Sequence, residues 1–325
     1  MPAPNVDELL TSTLWHASKE TADNVTKNNA VLAKMKEQKR IVKVSGGYNL
    51  REDIAYKEND TFMYYDGPEI LNTNASQHLT AAEYEWRQAA TACIITGKEM
   101  RMNNSKEQLI DLIASRTENA QDTMANKISE GIYSDGTGSG GKQIDGLRAL
   151  IPTNPATGVV GGIDAAVWDF WQPVVLSCTT DLGSPASAAT IEDHLLQLCI
   201  RTTRGRQKSD LFLMDDDFYR YFHQSQRAIA RITNPNSGVA KAGFETLMFR
   251  GGEVVLDGGF GGFAPQGVFA INSKYLKFKV HRDCYFMPLD PEKRAPVNQD
   301  LHIKIMGFMG NLCCSNRQLQ GRLLP

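Results

Sequence analysis

The spacing of apolar residues changes period along the chain, and each change marks an element. Val6, Leu9, Leu10 and Leu14, then Val25, Val31, Leu32 and Met35, fall at helical intervals within the first 38 residues. Asn5 with Glu8 has the form of a capping box at the start of this region. The polar run SKETADN separates the two clusters, so the spacing predicts two helices or a loosely packed arm whose apolar face needs a neighbour. From Ile41 the helical period stops. IVKVSGG ends in a glycine turn, and the stretch that follows is rich in charge, Tyr and Thr, with turn signals at Glu58-Asn59-Asp60 and Asp66-Gly67-Pro68. AAEYEWRQAATACIIT then alternates, with Tyr84 and Trp86 on one face and Glu83, Glu85 and Arg87 on the other. This predicts an extended β-ribbon over residues 42–92. A two-stranded excursion is marginal alone, so its second face is expected to find a partner.

The clearest helix comes next. Leu109, Leu112, Ile113, Ala120, Met124 and Ile128 keep a helical rhythm from about 105 to 130, with Ser105 and Gln108 forming a capping box. At 1.5 Å per residue such a helix is roughly 39 Å long. It is expected to end at Gly131, where the stretch SDGTGSGGKQIDGL begins. Beyond lie a Gly/Pro-rich segment, the aromatic WDFW, and a helix over IEDHLLQLCIRTTR. A buried strand DLFLM and a third helix from Asp215 follow, then three strand-like segments, EVVLD, KYLKFKVH and DLHIKIMGF. The order is arm, ribbon, long helix, then mixed α+β.

The glycine-rich stretch nearly spells a phosphate-binding loop. That chemistry needs a loop that leaves a strand, opens a helix, and ends in Lys-Ser or Lys-Thr so that a hydroxyl reaches magnesium. Here Gln143 follows Lys142, and the loop closes a long helix instead of opening one, so it reads as a connector. Asp215-Asp216-Asp217 reads as the N-terminal cap of a helix in preference to a metal site. The six histidines are scattered with no HExxH, and no GxSxG elbow or Cys/His signature is present. No catalytic residue, cofactor or metal is therefore expected. The six cysteines form no CxxC pair and read as reduced structural thiols. Two basic clusters, at residues 34–40 and 201–208, read as solvated helix ends; the second also suits a pore lining or a neighbouring subunit's acids. A net charge of -2 argues against a dedicated nucleic-acid binder. The acidic start and the lack of a long apolar run point to a protein made and kept in a cytoplasm.

Several stretches together resemble a known family. They are TMANKISEGIYSDGTGSGGKQIDGL, GGIDAAVWDFWQ, DLFLMDDDFYRYF, GFETLMFRGGEVVLDGG and the closing run from YLKFKVHRDCYF to SNRQLQGRL. Their number and order are similar to those of the major capsid proteins of tailed bacteriophages, with the Hong Kong 97-type fold, from about residue 25 onward. The resemblance implies an α+β fold with an N-terminal arm over 1–41, an E-loop over 42–92, and a P-domain with a spine helix over 93–184. An A-domain over 185–265 and strands returning to the P-domain over 266–325 complete it.

It also implies the function: a shell subunit that self-assembles as pentamers and hexamers around double-stranded DNA, without sequence specificity. Its partners would be other copies of itself, with scaffold, portal and cement or decoration proteins possible. Its place would be the virion, after assembly in the host cytoplasm. The chain opens almost at the arm, so a separate scaffold protein is expected. Arg51, Glu52, Lys57 and Glu58 on the ribbon, with Arg204 and Arg206 in the second basic cluster, are the candidate inter-subunit contacts. Lys57 and Asn59 fit no motif for the covalent crosslinks of some family members, and none is expected. Two alternatives stay open, an encapsulin-type compartment and a nucleotide-binding enzyme using residues 136–142.

Overall fold

The computed structural model describes residues 29–74, 76–102, 106–226, 246–256, 267–289 and 300–325. The helical spacing at Val31, Leu32 and Met35 becomes helix α1 (Ala30–Glu37), which buries all three. Asn29 caps it: its side-chain oxygen accepts from the Leu32 amide at 3.1 Å, and its Nδ2 donates to Ser129 Oγ at 3.0 Å. Strand β1 (Ile41–Val44) follows, then β2 (Leu50–Ala55) and β3 (Leu79–Tyr84), which pair antiparallel. Next come β4 (Arg87–Thr96), the short helix α2 (Gly97–Met102) and the long helix α3 (Lys106–Ile132). The helix expected over 105–130 is present and runs through Gly131 to Ile132. The capping boxes predicted at Asn5–Glu8 and Ser105–Gln108, and the apolar cluster from Val6 to Val25, fall outside the described residues.

The second half contains β5 (Val159–Val160), β6 (Ile163–Asp164), β7 (Val174–Ser177), α4 (Ile191–Thr202), β8 (Leu211–Met214), α5 (Asp216–Ser225) and β9 (Thr246–Phe249). It ends with β10 (Gly252–Leu256), β11 (Val268–Ile271), β12 (Leu276–Pro288), β13 (Leu301–Cys314) and β14 (Gly321–Leu324). One sheet has the order β1-β12-β13-β4, with β1 parallel to β12 and the other pairs antiparallel. The other has the order β7-β14-β11-β8-β10-β9 and mixes parallel with antiparallel pairs. Asp215 caps α5 as expected, its Oδ1 accepting from the Phe218 amide at 2.8 Å.

The apolar run LFLM of β8 is buried on both faces, and the sheet divides the interior there. Leu211 and Leu213 join one core with Met124 and Ile128 of α3 and with Phe278 and Phe308 of the four-stranded sheet. Phe212 and Met214 join the other, beneath Leu195 and Leu198 of α4 and Phe218 and Phe222 of α5.

One expectation changes. AAEYEWRQAATACIIT reads as a single alternating segment, but the chain turns a corner at Glu85-Trp86, and β3 and β4 join different sheets. Two long-range bonds pin the corner: Trp86 Nε1 donates to the Gly47 carbonyl, and Asn311 Nδ2 to the Glu85 carbonyl, both at 2.9 Å. The two-stranded pairing therefore covers 50–55 and 79–84, while β1 and β4 lie in the four-stranded sheet. Alternation alone cannot reveal the corner, because it continues through a change of partner.

Candidate assembly surface

The ribbon has two unlike parts. Its paired strands lie on the body of the molecule, because the alternation of β2 and β3 puts Leu50, Ile54, Ala82 and Tyr84 into the first core. Tyr84 locks them there: its hydroxyl donates to the Cys314 carbonyl at 2.8 Å and accepts from the Cys314 amide at 3.2 Å. Burial pushes the Tyr84 phenol well up, so it stays protonated. At the far end of the pair, Tyr56 meets Trp168 and Phe170 at ring separations of 5.9 and 5.3 Å.

Past Tyr56 the chain leaves the body. Residues 57–74 and 76–78 form an irregular tip with local contacts such as Lys57 Nζ to Asp60 Oδ2 at 2.5 Å and Asn72 Nδ2 to the Asp60 carbonyl at 3.3 Å. This tip carries Phe62, Tyr64, Tyr65, Ile70 and Leu71 on its outside; Tyr64 is 91% exposed and Ile70 93% exposed. So dense a set of open aromatic and aliphatic side chains on one segment is the mark of an interaction surface.

The six sequence candidates divide accordingly. Glu52 is not on the outer face: it is buried between Lys277 and Lys279, with Nζ–O separations of 2.7 Å to each, and ties β2 to β12. Its even position on β2 turns it inward with Leu50 and Ile54, which corrects its reading as a contact with another copy. Arg51 faces out and pairs with Asp53 at 3.0 Å, while its carbonyl accepts from Lys279 Nζ. Lys57 and Glu58 are exposed at the root of the tip. Arg204 and Arg206 stand far from the tip in sequence, on a tight hairpin whose Arg204 and Gln207 backbones exchange hydrogen bonds at 2.9 Å. Gly205 at its apex has φ +56°, and both arginines are exposed. Arg204 shares a cleft of about 320 Å³ with Asp53, Tyr56 and Phe170, so the hairpin and the ribbon do meet on one surface.

The glycine-rich stretch makes a left-handed turn at the exit of α3. Ser139, Gly140 and Gly141 have φ of 55°, 69° and 78°, a conformation that costs least with glycine. The chain then passes Asp145, which the buried Asn311 holds by both donor and acceptor: Nδ2 donates to Asp145 Oδ2 at 2.6 Å, and Oδ1 accepts from the Asp145 amide at 3.0 Å. Further on, the buried Arg317 guanidinium donates from Nε to the Leu150 carbonyl at 2.8 Å and lies 5.7 Å from the Trp171 ring. Local sequence patterns miss Asn311 and Arg317 and misassign Glu52, because their partners lie more than a hundred residues away. Between α3, β4 and the turn, a cleft of about 420 Å³ opens.

Reactive groups are few. All six cysteines are free; five are buried and Cys284 is half-buried. Burial pushes the Cys178 and Cys199 thiols up to about 11 and Cys314 to about 12, where little thiolate exists near neutrality. No cluster of three or more His, Cys, Asp or Glu among the described residues could hold a metal ion. No helix among them is long and apolar enough to cross a membrane.

No protein-family profile matches the chain, and no curated protein matches it in sequence. Solved structures do match its fold. The capsid of cyanophage A-1(L) aligns over 90% of this chain and 92% of its own, with TM-score 0.63 at 12% identity. The capsid of a native GTA particle aligns over 90% and 89%, with TM-score 0.57 at 10% identity. An encapsulin complex from Synechococcus elongatus aligns over 87% and 84%, with TM-score 0.55 at 12% identity. The fold is that of a capsid shell protein. More narrowly, it is the Hong Kong 97-type α+β fold of tailed-bacteriophage major capsid proteins.

Proposed function

We propose that this chain is the major capsid protein of a tailed bacteriophage, assembling as pentamers and hexamers into a closed icosahedral shell around double-stranded DNA. One observation carries the reading: the tip at 57–78 exposes Phe62, Tyr64, Tyr65, Ile70 and Leu71 beyond the reach of the chain's own core, on a fold shared with shell proteins. Each such side chain covered by a neighbour contributes roughly 1.5–3 kcal/mol. Contacts of that size, repeated through a closed shell, make assembly cooperative and hard to reverse. The work is done by surfaces, without catalysis. The shell belongs to the virion, is built in the host cytoplasm, and meets scaffold, portal and cement or decoration proteins as well as DNA held without sequence specificity.

Electron microscopy of the purified protein, alone and with its co-expressed scaffold, tests this. Closed icosahedral shells or rings of five and six are expected; a chain that stays monomeric under both conditions overturns the reading. The encapsulin match favours a second reading, an enzyme-filled compartment. A co-purifying cargo protein in place of packaged DNA would establish it. A nucleotide-binding role for 136–142 predicts thermal stabilisation by nucleotide that Lys142→Ala abolishes. We expect no stabilisation, since Gln143 supplies no hydroxyl for magnesium.

A further inference from the structure

The chain carries a net charge of -2, yet five exposed cations meet where α4 ends: Arg201, Arg204, Arg206, Lys208 and Arg250. Hydrogen bonds bring their segments together. Thr203 Oγ1 donates to the Cys199 carbonyl at 2.6 Å, and the hairpin then closes between Arg204 and Gln207. Lys208 Nζ donates to the Arg250 carbonyl at 2.8 Å, which lays the turn between β9 and β10 against the hairpin. Burial raises the Cys199 thiol, and Arg250 and Lys208 oppose the rise, which places both beside α4.

None of the five has a carboxylate partner among the described residues. By contrast the exposed Arg51, Arg101, Arg116 and Arg220 each stand within 3.0 Å of a carboxylate. Asp53 shares the cleft of about 320 Å³ with Arg204, but Arg51 already holds it. The dipole of α4 favours a cation at its C-terminus. It amounts to about half a charge and fades within the last turn, so it accounts for Arg201 and not for the other four.

A nucleic-acid backbone fits this face better than an acidic protein. Protein interfaces centre on apolar side chains and deplete charge, whereas here one exposed isoleucine, Ile200, stands beside the five cations. The hairpin is a projecting turn, exposed from residue 203 to 206, with guanidinium groups on both sides of Gly205. Such groups grip phosphate oxygens in pairs. They need no fixed register, because duplex DNA presents a charge about every 1.7 Å.

We infer that the hairpin at 203–208 and the turn at Arg250 form a phosphodiester-binding face, turned to the DNA inside the shell and indifferent to its sequence. This deepens the shell reading and rests on it. Arg204 and Arg206, expected at a contact between copies, are thereby assigned to the DNA backbone. One copy alone binds weakly, with a Kd of roughly 10⁻⁴–10⁻⁶ M at physiological salt, and many copies hold the DNA together.

Fluorescence anisotropy of the purified, unassembled chain with short labelled duplexes tests the face. Duplexes of unrelated sequence should bind alike, and the logarithm of affinity should fall against that of salt with a slope of about -4. Arg204→Glu with Arg206→Glu should weaken binding about tenfold or more at low salt and make the slope shallower by about 2. Arg101→Glu with Arg220→Glu, the same change of charge elsewhere, should bind as the parent does. Electron microscopy of the same chains should show shells from the Arg204→Glu, Arg206→Glu chain as from the parent. A parent that forms shells without binding duplex, or a hairpin variant that binds as the parent does, overturns the contact and leaves the shell reading standing. Loss of shells in the hairpin variant with duplex binding unchanged would give the hairpin to a neighbouring copy's acids and also overturn it. A parent that forms neither rings nor shells removes the shell reading, and the duplex assay still decides the hairpin.

Discussion

Glu52 and Lys57 are both charged residues of the ribbon, yet only one holds the fold. Glu52 lies between two lysines of another strand with almost no access to water, whereas Lys57 pairs with Asp60 in solvent. Removing one partner of a buried ion pair leaves the other charge uncompensated. Glu52→Gln should therefore cost about 3 kcal/mol in urea unfolding of the unassembled chain, while Lys57→Ala should leave the midpoint unchanged. His194 on α4 gives a second residue-scale prediction. It is buried, with Nε2 3.1 Å from Ser184 Oγ, and burial lowers its proton affinity against the opposing pull of the Asp193 carboxylate. Below its ordinary value of 6.5 the unfolded chain binds a proton that the folded chain resists. Stability should be fully present above that pH and decline as pH falls through the weakly acidic range. His194→Gln should flatten the decline, read as urea midpoints across pH.

At the scale of elements, the connector after α3 shows that glycines close in sequence do different things. A Cβ at Gly140 meets nothing within 4 Å, so alanine there bears only the left-handed backbone penalty, about 1 kcal/mol. Gly146 has an ordinary φ, but a Cβ there would stand 2.5 Å from the Gly131 carbonyl oxygen and the Ser134 amide nitrogen. Those are backbone atoms at the end of α3 and cannot swing aside, so Gly146→Ala should cost about 3 kcal/mol. Paired thermal melts of the two variants check the difference. The same scale accounts for what was legible. The helical period located α3 and α4, the unbroken apolar runs located β8 and β10, which are buried on both faces, and the cap at Asp215 is read from a few consecutive residues. The corner at Glu85-Trp86 left no mark, since the bonds that make it come from Gly47 and Asn311.

At the scale of the whole molecule, the two parts of the ribbon should respond separately to mutation. The paired strands share the core, so Tyr84→Phe, which strips both partners from the Cys314 backbone, should lower stability by about 1–3 kcal/mol in denaturant unfolding. Among the described residues, Phe62, Tyr64, Tyr65, Ile70 and Leu71 of the tip belong to neither core. Changing Phe62, Tyr64 and Tyr65 together to Ser should leave the unfolding midpoint where it is and remove assembled particles from electron micrographs. A loss of stability in that triple variant would mean that the tip packs on its own chain.

Residue order alone settles which segments bury a face and which cannot. Helical and alternating periods are local consequences of 3.6 and 2 residues per repeat, so they placed the long helix, the strands and a ribbon in need of a partner. The capsid fold itself was suggested by the resemblance of particular stretches, such as TMANKISEGIYSDGTGSGGKQIDGL, and not by those periods. Only the folded arrangement settles which charged residues face inward and which part of the ribbon is free. It also puts Lys142 at the mouth of an apolar cleft. Those are matters of partners: Glu52 meets Lys277, Asn311 meets Asp145 and Arg317 meets Leu150 only after chain segments more than a hundred residues apart are brought together, and no local spacing records the meeting.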